Sequence, residues 1–290
     1  EKRYECFQPE DRSSFSRALC GPHFYSAGPF AEEQPVHSSS TMADQAAARL
    51  MDVAGETNEN FNPIFGVLAT PLLTLLAAVA AATSGSEALA GVDLGGAVIC
   101  AQRSAKKKLK KEGADPHGLE LEEVAALHFY TQETPFYGAL SAQLRSQDRP
   151  ALKPYFPYLK LFLTALHKLP LVRSNVYRGV KLPIAALGQY EEGEEVLWWG
   201  FSSTTTNVGV LSNDMFLGKE GDRTMFNISI NSGVDIAPYS AVVGEAEVLL
   251  LPGSNLLVEG LLDQGHGLTI VQLREEPPPA ALLDFARPPC

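Results

Sequence analysis

The spacing of hydrophobic and polar positions changes partway along the chain. From about residue 42 to about residue 170 apolar residues recur every three or four positions, the period that gives a helix one buried face. Beyond it they come in short runs separated by Gly, Pro, Asn and Ser, as strands do. The first part predicts a helix over residues 43–53, a second over 71–82 opened by Pro71, and a third from about residue 96 that Gly113 closes. Leu121, Val124, Ala125, Leu127 and His128 form one face of a fourth helix, with Glu122 and Glu123 suited to its first turn and His128 an ordinary helix residue. Pro135 opens a fifth carrying Phe136, Leu140 and Leu144, and residues 158–169 make a sixth that Pro170 stops. The second part predicts strands over 176–180, 196–202, 224–230, 247–251, 256–259 and 268–273. Helices first and strands second make an α+β domain.

Residues 1–41, without periodicity and rich in Ser, Pro, Gly and Glu, read as a disordered tail, and the start at Glu1 without Met or leader pattern reads as a fragment. Residues 42–118 read as a helical N-terminal region, 119–276 as the domain carrying the chemistry, and 277–290 as a Pro-rich tail. At 290 residues and 45% hydrophobic content the chain can bury a sizeable core. Residues 64–82 approach the length of a membrane span, but Gly66, Thr70, Pro71, Thr74 and the many alanines favour a buried core helix.

A net charge of −11 disfavours nucleic acid as a partner, because a nucleic-acid binder needs a basic face to displace counterions. The same charge suits a partner bearing exposed Arg. The five lysines of residues 106–111 read as the solvated, dipole-compensating end of the third helix. Cys6, Cys20, Cys100 and Cys290 have neither CxxC spacing nor neighbouring His, so no metal is expected and the compartment stays open. Asn227-Ile228-Ser229 matches a glycosylation sequon inside a predicted core strand, where chance is the better account. No GxGxxG, Walker loop or nucleophile elbow occurs.

Three segments carry candidate chemistry. Gly244-Glu245-Ala246-Glu247-Val248 puts carboxylates at i and i+2 where an apolar run begins, which on a strand would place both on one face. Asn175-Val176-Tyr177-Arg178-Gly179 sets an Arg among β-formers, and Trp198-Trp199-Gly200-Phe201-Ser202-Ser203-Thr204-Thr205-Thr206-Asn207 leads an aromatic run into hydroxyls. Taken singly these are an edge pair, a strand-end Arg and a polar turn in which Asn207 caps a helix.

In this order, Tyr177-Arg178, Phe201-Ser202-Ser203-Thr204-Thr205 and Glu245-Ala246-Glu247 resemble the Arg-Ser-Glu signature of the ADP-ribosyltransferases related to cholera toxin and to the animal arginine-specific mono-ADP-ribosyltransferases. The likeness runs from Val124 to Arg274, with Thr205 standing where the family usually has Ser. It implies a helical part followed by a two-sheet β core around an NAD cleft, and an enzyme that moves ADP-ribose from NAD, its substrate, to arginine on a partner protein. By this resemblance Glu247 stabilises the positive charge developing on the ribose, Ser203 hydrogen-bonds and orients Glu247, and Glu245 positions and deprotonates the acceptor guanidinium. Arg178 would bind an NAD phosphate with its planar fork, and Gly179 would admit the nicotinamide amide closely. Thr204 and Thr205 would close the pocket floor, and the loop over residues 231–244, with Tyr239 and Ser240, would recognise the acceptor. The alternatives are an NAD glycohydrolase and a catalytically inactive NAD-binding or interaction module of the same fold.

Overall fold

The computed structural model describes residues 64–277 apart from residues 65, 147, 189, 214, 215, 243 and 245. The expectations for residues 1–41, the helix over 43–53 and the tail beyond residue 277 therefore lie outside the described residues, and so does Glu245.

The helices come first: α1 (Leu75–Gly85), α2 (Gly95–Glu112), α3 (Leu121–Tyr130), α4 (Pro135–Arg145), the short α5 (Arg149–Leu152) and α6 (Phe156–Lys168). α1 begins four residues after Pro71, because Thr74 takes an extended conformation and its side chain accepts from Ala77 N, the capping that ends the orphan donors of a first turn. It buries Leu75, Ala78, Val79 and Ala82 while Leu76 stays exposed, so it is a one-faced helix rather than one buried all round. Among the described residues no helix is long and apolar enough to cross a membrane. Gly113 takes φ 78 and closes α2, and the last-turn lysines stand as the macrodipole favours. α3 starts with a capping box in which Glu123 accepts from Glu120 N at 2.7 Å; Lys168 pairs with the same carboxylate at 2.7 Å.

The helices enclose one core in which Phe129, Phe136, Tyr158 and Phe162 meet edge-on or stacked. The expected boundary at residue 118 falls between α2 and α3, and helices on both sides of it contribute to that core.

The strands are β1 (Leu171–Val180), β2 (Glu195–Trp198), β3 (Ser202–Thr205), β4 (Arg223–Asp235), β5 (Glu247–Leu250), β6 (Ser254–Asp263) and β7 (Leu268–Glu276). They run in the order β1-β3-β5-β4-β7-β6-β2, with β1 and β4 also paired. The expected two sheets are thus two arms of one hydrogen-bonded network. β4, at thirteen residues, pairs with β1 along most of its length, runs parallel to β7, and reaches β5 with its last two residues.

One predicted strand is two. Residues 196–202 break at Trp199-Gly200-Phe201, and the halves lie at opposite parts of the sheet: β2 pairs with β6, β3 with β1 and β5. The reason is burial rather than propensity. Trp198 joins the core under the sheet, with Phe226, Val248 and Leu250, whereas Phe201 joins the helical core against Phe162. The sequon Asn227-Ile228-Ser229 lies in the middle of β4, paired on both sides.

Candidate active site

β1 alternates its side chains between two environments. Val176, Arg178 and Val180 point into the core beneath the sheet, while Tyr177 faces the segment after β3, where Leu211, Phe216 and Leu217 cluster. Arg178 is fully buried. Its Nη1 donates to Ser203 O at 3.0 Å and its guanidinium lies 5.7 Å from the centroid of the Trp198 ring, so a delocalised cation is held by a carbonyl and an aromatic face. The contact ties β1 to the backbone of β3 at one of the hydroxyl residues. A Cβ at Gly179 would meet Leu217 Cβ at 2.9 Å, so the Leu217 side chain approaches the strand closely there.

β3 and β5 are both buried along their whole length. Their register sets Thr205 opposite Glu247 and Ser203 opposite Leu249, which puts Ser203, Thr205 and Glu247 on one face. Tyr177 faces Thr205 across the neighbouring pair, extending that face over three strands. Thr204 looks the other way and donates to Val248 O at 2.6 Å, so alternation along the strand removes it from the floor it was expected to share with Thr205. Thr205 Oγ1 accepts from Asn207 N at 3.1 Å, and Asn207 in turn caps the short turn of helix Val208–Ser212.

Glu247 is 1% exposed, and among the described residues neither of its carboxylate oxygens, nor Ser203 Oγ beside it, has a hydrogen-bond partner. The expected Ser203–Glu247 bond is absent because the register sets Ser203 diagonally to Glu247, with Thr205 directly opposite. β5 begins at Glu247. Ala246 takes φ 47, a left-handed conformation, so the extended geometry of β5 starts at Glu247, and Glu245 lies outside the described residues. A left-handed non-glycine residue beside a buried carboxylate costs on the order of 1 kcal/mol and is where functional sites store strain.

The segment between β4 and β5 is shorter than expected, since residues 231–235 belong to β4. Tyr239 is buried, donating through Oη to Asp115 Oδ2 at 2.8 Å; burial and the Asp115 carboxylate push its pKa well above the ordinary tyrosine value. It anchors this segment instead of presenting a free surface to an acceptor. His128 Nδ1 lies 3.1 Å from Tyr239 O, and burial lowers its pKa below the ordinary 6.5 against the raising effect of that bond. The partners of Asp115, His128 and Thr131 lie more than a hundred residues away, so local pattern does not predict these contacts. Among the described residues no cluster of His, Cys, Asp or Glu is placed to hold a metal ion.

A model of the family described as NAD:arginine ADP-ribosyltransferase matches residues 96–277. Over 160 residues the chain is 32% identical to Mav of Mycobacterium avium (strain 104), a match covering 55% of this chain and 18% of that protein. It is 31% identical over 160 residues to NAD(+)–protein-arginine ADP-ribosyltransferase Tre1 of Serratia proteamaculans (strain 568), covering 54% of this chain and 32% of that one. The matches therefore span a third or less of these relatives' lengths. In fold the chain is similar to ADP-ribosyltransferase HopU1 of Pseudomonas syringae pv. Tomato, with a TM-score of 0.51 at 17% identity over 71% of this chain and 99% of that one.

Proposed function

The chain belongs to the NAD:arginine ADP-ribosyltransferase family, and from that membership we propose that it transfers ADP-ribose from NAD to arginine side chains of a protein, releasing nicotinamide. The observation that carries this reading is Glu247, a buried carboxylate on the face it shares with Ser203 and Thr205, with no donor from the described residues on either oxygen. Burying such a group without hydrogen bonds is costly, so its retention is supported by a role toward a bound molecule.

Breaking the nicotinamide–ribose bond sends the bonding electron pair to nicotinamide and leaves positive charge on the ribose. A preorganised carboxylate in a dry site stabilises that charge far better than water does. Glu247 is the catalytic group in this proposal, and Ser203 and Thr205 supply hydroxyls on its face. Arg178 holds the strands that carry them and is the candidate for an NAD phosphate. An arginine nitrogen then bonds to the ribose carbon and gives up a proton, for which a base is needed because free guanidinium has a pKa above about 12. Glu245 is the proposed base. The target is a protein with exposed arginine, which a chain of net charge −11 suits.

The test is to incubate the full chain with labelled NAD and agmatine and follow agmatine modification and nicotinamide release together. Transfer to agmatine is expected, and it should be lost in Glu245→Gln while release of nicotinamide to water persists. A chain that releases nicotinamide without modifying agmatine would be a glycohydrolase, and one that does neither would be an inactive module.

A further inference from the structure

The segment joining β4 to β5 leaves the sheet and returns to it at one point, where Ile236 N donates to Glu247 O at 3.2 Å. Between these ends it is fastened to the helical part by three side chains that belong to none of the three motifs. Thr131 Oγ1 accepts from Ala241 N at 2.7 Å, and its hydroxyl donates to His128 O at 3.0 Å, which aims the lone pair outward. His128 Nδ1 meets Tyr239 O at 3.1 Å, donating in the tautomer that a carbonyl partner requires. Asp115 accepts from Tyr239 Oη at 2.8 Å and is itself held by His117 N at 2.9 Å and Leu119 N at 3.2 Å. The Lys108 ammonium lies 5.0 Å from the centre of the Tyr239 ring.

These ties have a consequence further along the chain. Gly244 and Ala246 take φ 97 and φ 47 immediately before Glu247, and a left-handed alanine persists only where its surroundings over-determine it. The pairing of β5 with β3 restrains this backbone from one side, and the attachment of residues 237–242 to α3 restrains it from the other.

We propose that Asp115, His128 and Thr131 are positioning residues for arginine transfer. They clasp the β4–β5 segment to the helical part and so set how an acceptor arginine approaches Glu247. The proposal rests on the transferase reading above. It separates the two reactions of that site: Glu247 is held by β3 and by Ile236 N, so attack by water does not depend on the clasp, whereas an arginine must pass the clasped segment.

The experiment uses the full chain and the variants Thr131→Val, Thr131→Ser and Tyr239→Phe. Thr131→Val keeps the side-chain shape and removes the acceptor; it should raise the agmatine KM about five- to tenfold, the worth of one or two net hydrogen bonds, with NAD hydrolysis in the absence of agmatine within about twofold of the parent. Tyr239→Phe should shift in the same direction, and Thr131→Ser should restore the parent KM. Hydrogen exchange at the Ala241 amide should quicken in Thr131→Val and not in Thr131→Ser. An unchanged agmatine KM in Thr131→Val and Tyr239→Phe overturns the proposal, and so does a parallel fall of transfer and hydrolysis, which would assign these residues to the fold or the NAD site. A parent chain that fails to modify agmatine overturns the transferase reading itself, and this proposal with it.

Discussion

Arg178 and Glu247 are both closed off from solvent, at 0% and 1% exposure, yet the protein surrounds them differently. Arg178 donates to Ser203 O and rests against Trp198, in a core of Val176, Val180 and Phe226. Glu247 sits on the opposite side of the same strands with neither oxygen engaged by a described residue. A buried ion tied through one nitrogen to a strand carbonyl and resting on an aromatic face acts as part of the frame, and removing it leaves the frame short. A buried ion left without such ties is kept at a cost to stability, and a contribution to the reaction is what offsets that cost.

The comparison breaks most sharply at Glu247. Glu247→Gln is expected to lower both nicotinamide release and transfer by about a hundredfold or more, since both pass through the same cationic centre. Its denaturation midpoint should not fall, because no described residue loses a hydrogen bond. A midpoint several degrees lower in a thermal scan would put Glu247 in the frame alongside Arg178.

Arg178→Lys tests the other side. A lysine keeps the charge but not the planar fork over Trp198, so stability should drop by about 2 kcal/mol in denaturant titration, and NAD affinity measured by calorimetry should weaken with it. A loss of stability with unchanged affinity would leave Arg178 as frame alone. Unchanged stability would contradict its place in the core.

The smallest effect concerns the clasp. Burial lowers the His128 pKa in the folded chain, so as the pH falls the unfolded chain takes up that proton first. Stability contributed by neutral His128 is therefore present above its ordinary value of 6.5 and declines as the pH falls through it, by less than about 1.4 kcal/mol per pH unit. Urea midpoints measured from pH 7.5 to 5.5 should decline less steeply in His128→Gln than in the parent. Equal slopes would mean that His128 titrates alike in both states.

Much of this was legible along the chain, and the limits of legibility are physical. The apolar pattern and opening signals such as Pro135 or Glu122-Glu123 located α3, α4 and α6 to within a few residues, although only α4 buries a single face and α3 is buried on most sides. The split between β2 and β3 was not legible, since Val196 to Ser202 is one unbroken run of β-formers and small residues. Only the choice of Trp198 for one core and Phe201 for the other divides it. The left-handed backbone of Ala246, just before β5, was not legible either, since no propensity foretells it.

By itself the sequence determined the change from helical to strand periodicity, hence the α+β class, and brought Arg178, Ser203 and Glu247 into view by the residues around them. Those are local properties, carried by neighbours a few positions apart. The tertiary structure alone decided that Thr205 rather than Ser203 stands opposite Glu247, that Gly179 makes room for Leu217, and that Asp115, His128 and Thr131 hold the segment leading to the carboxylate. The physical reason is that register and docking are settled by burial and hydrogen bonding between residues far apart in the chain, and local pattern carries no information about which distant partner will complete them.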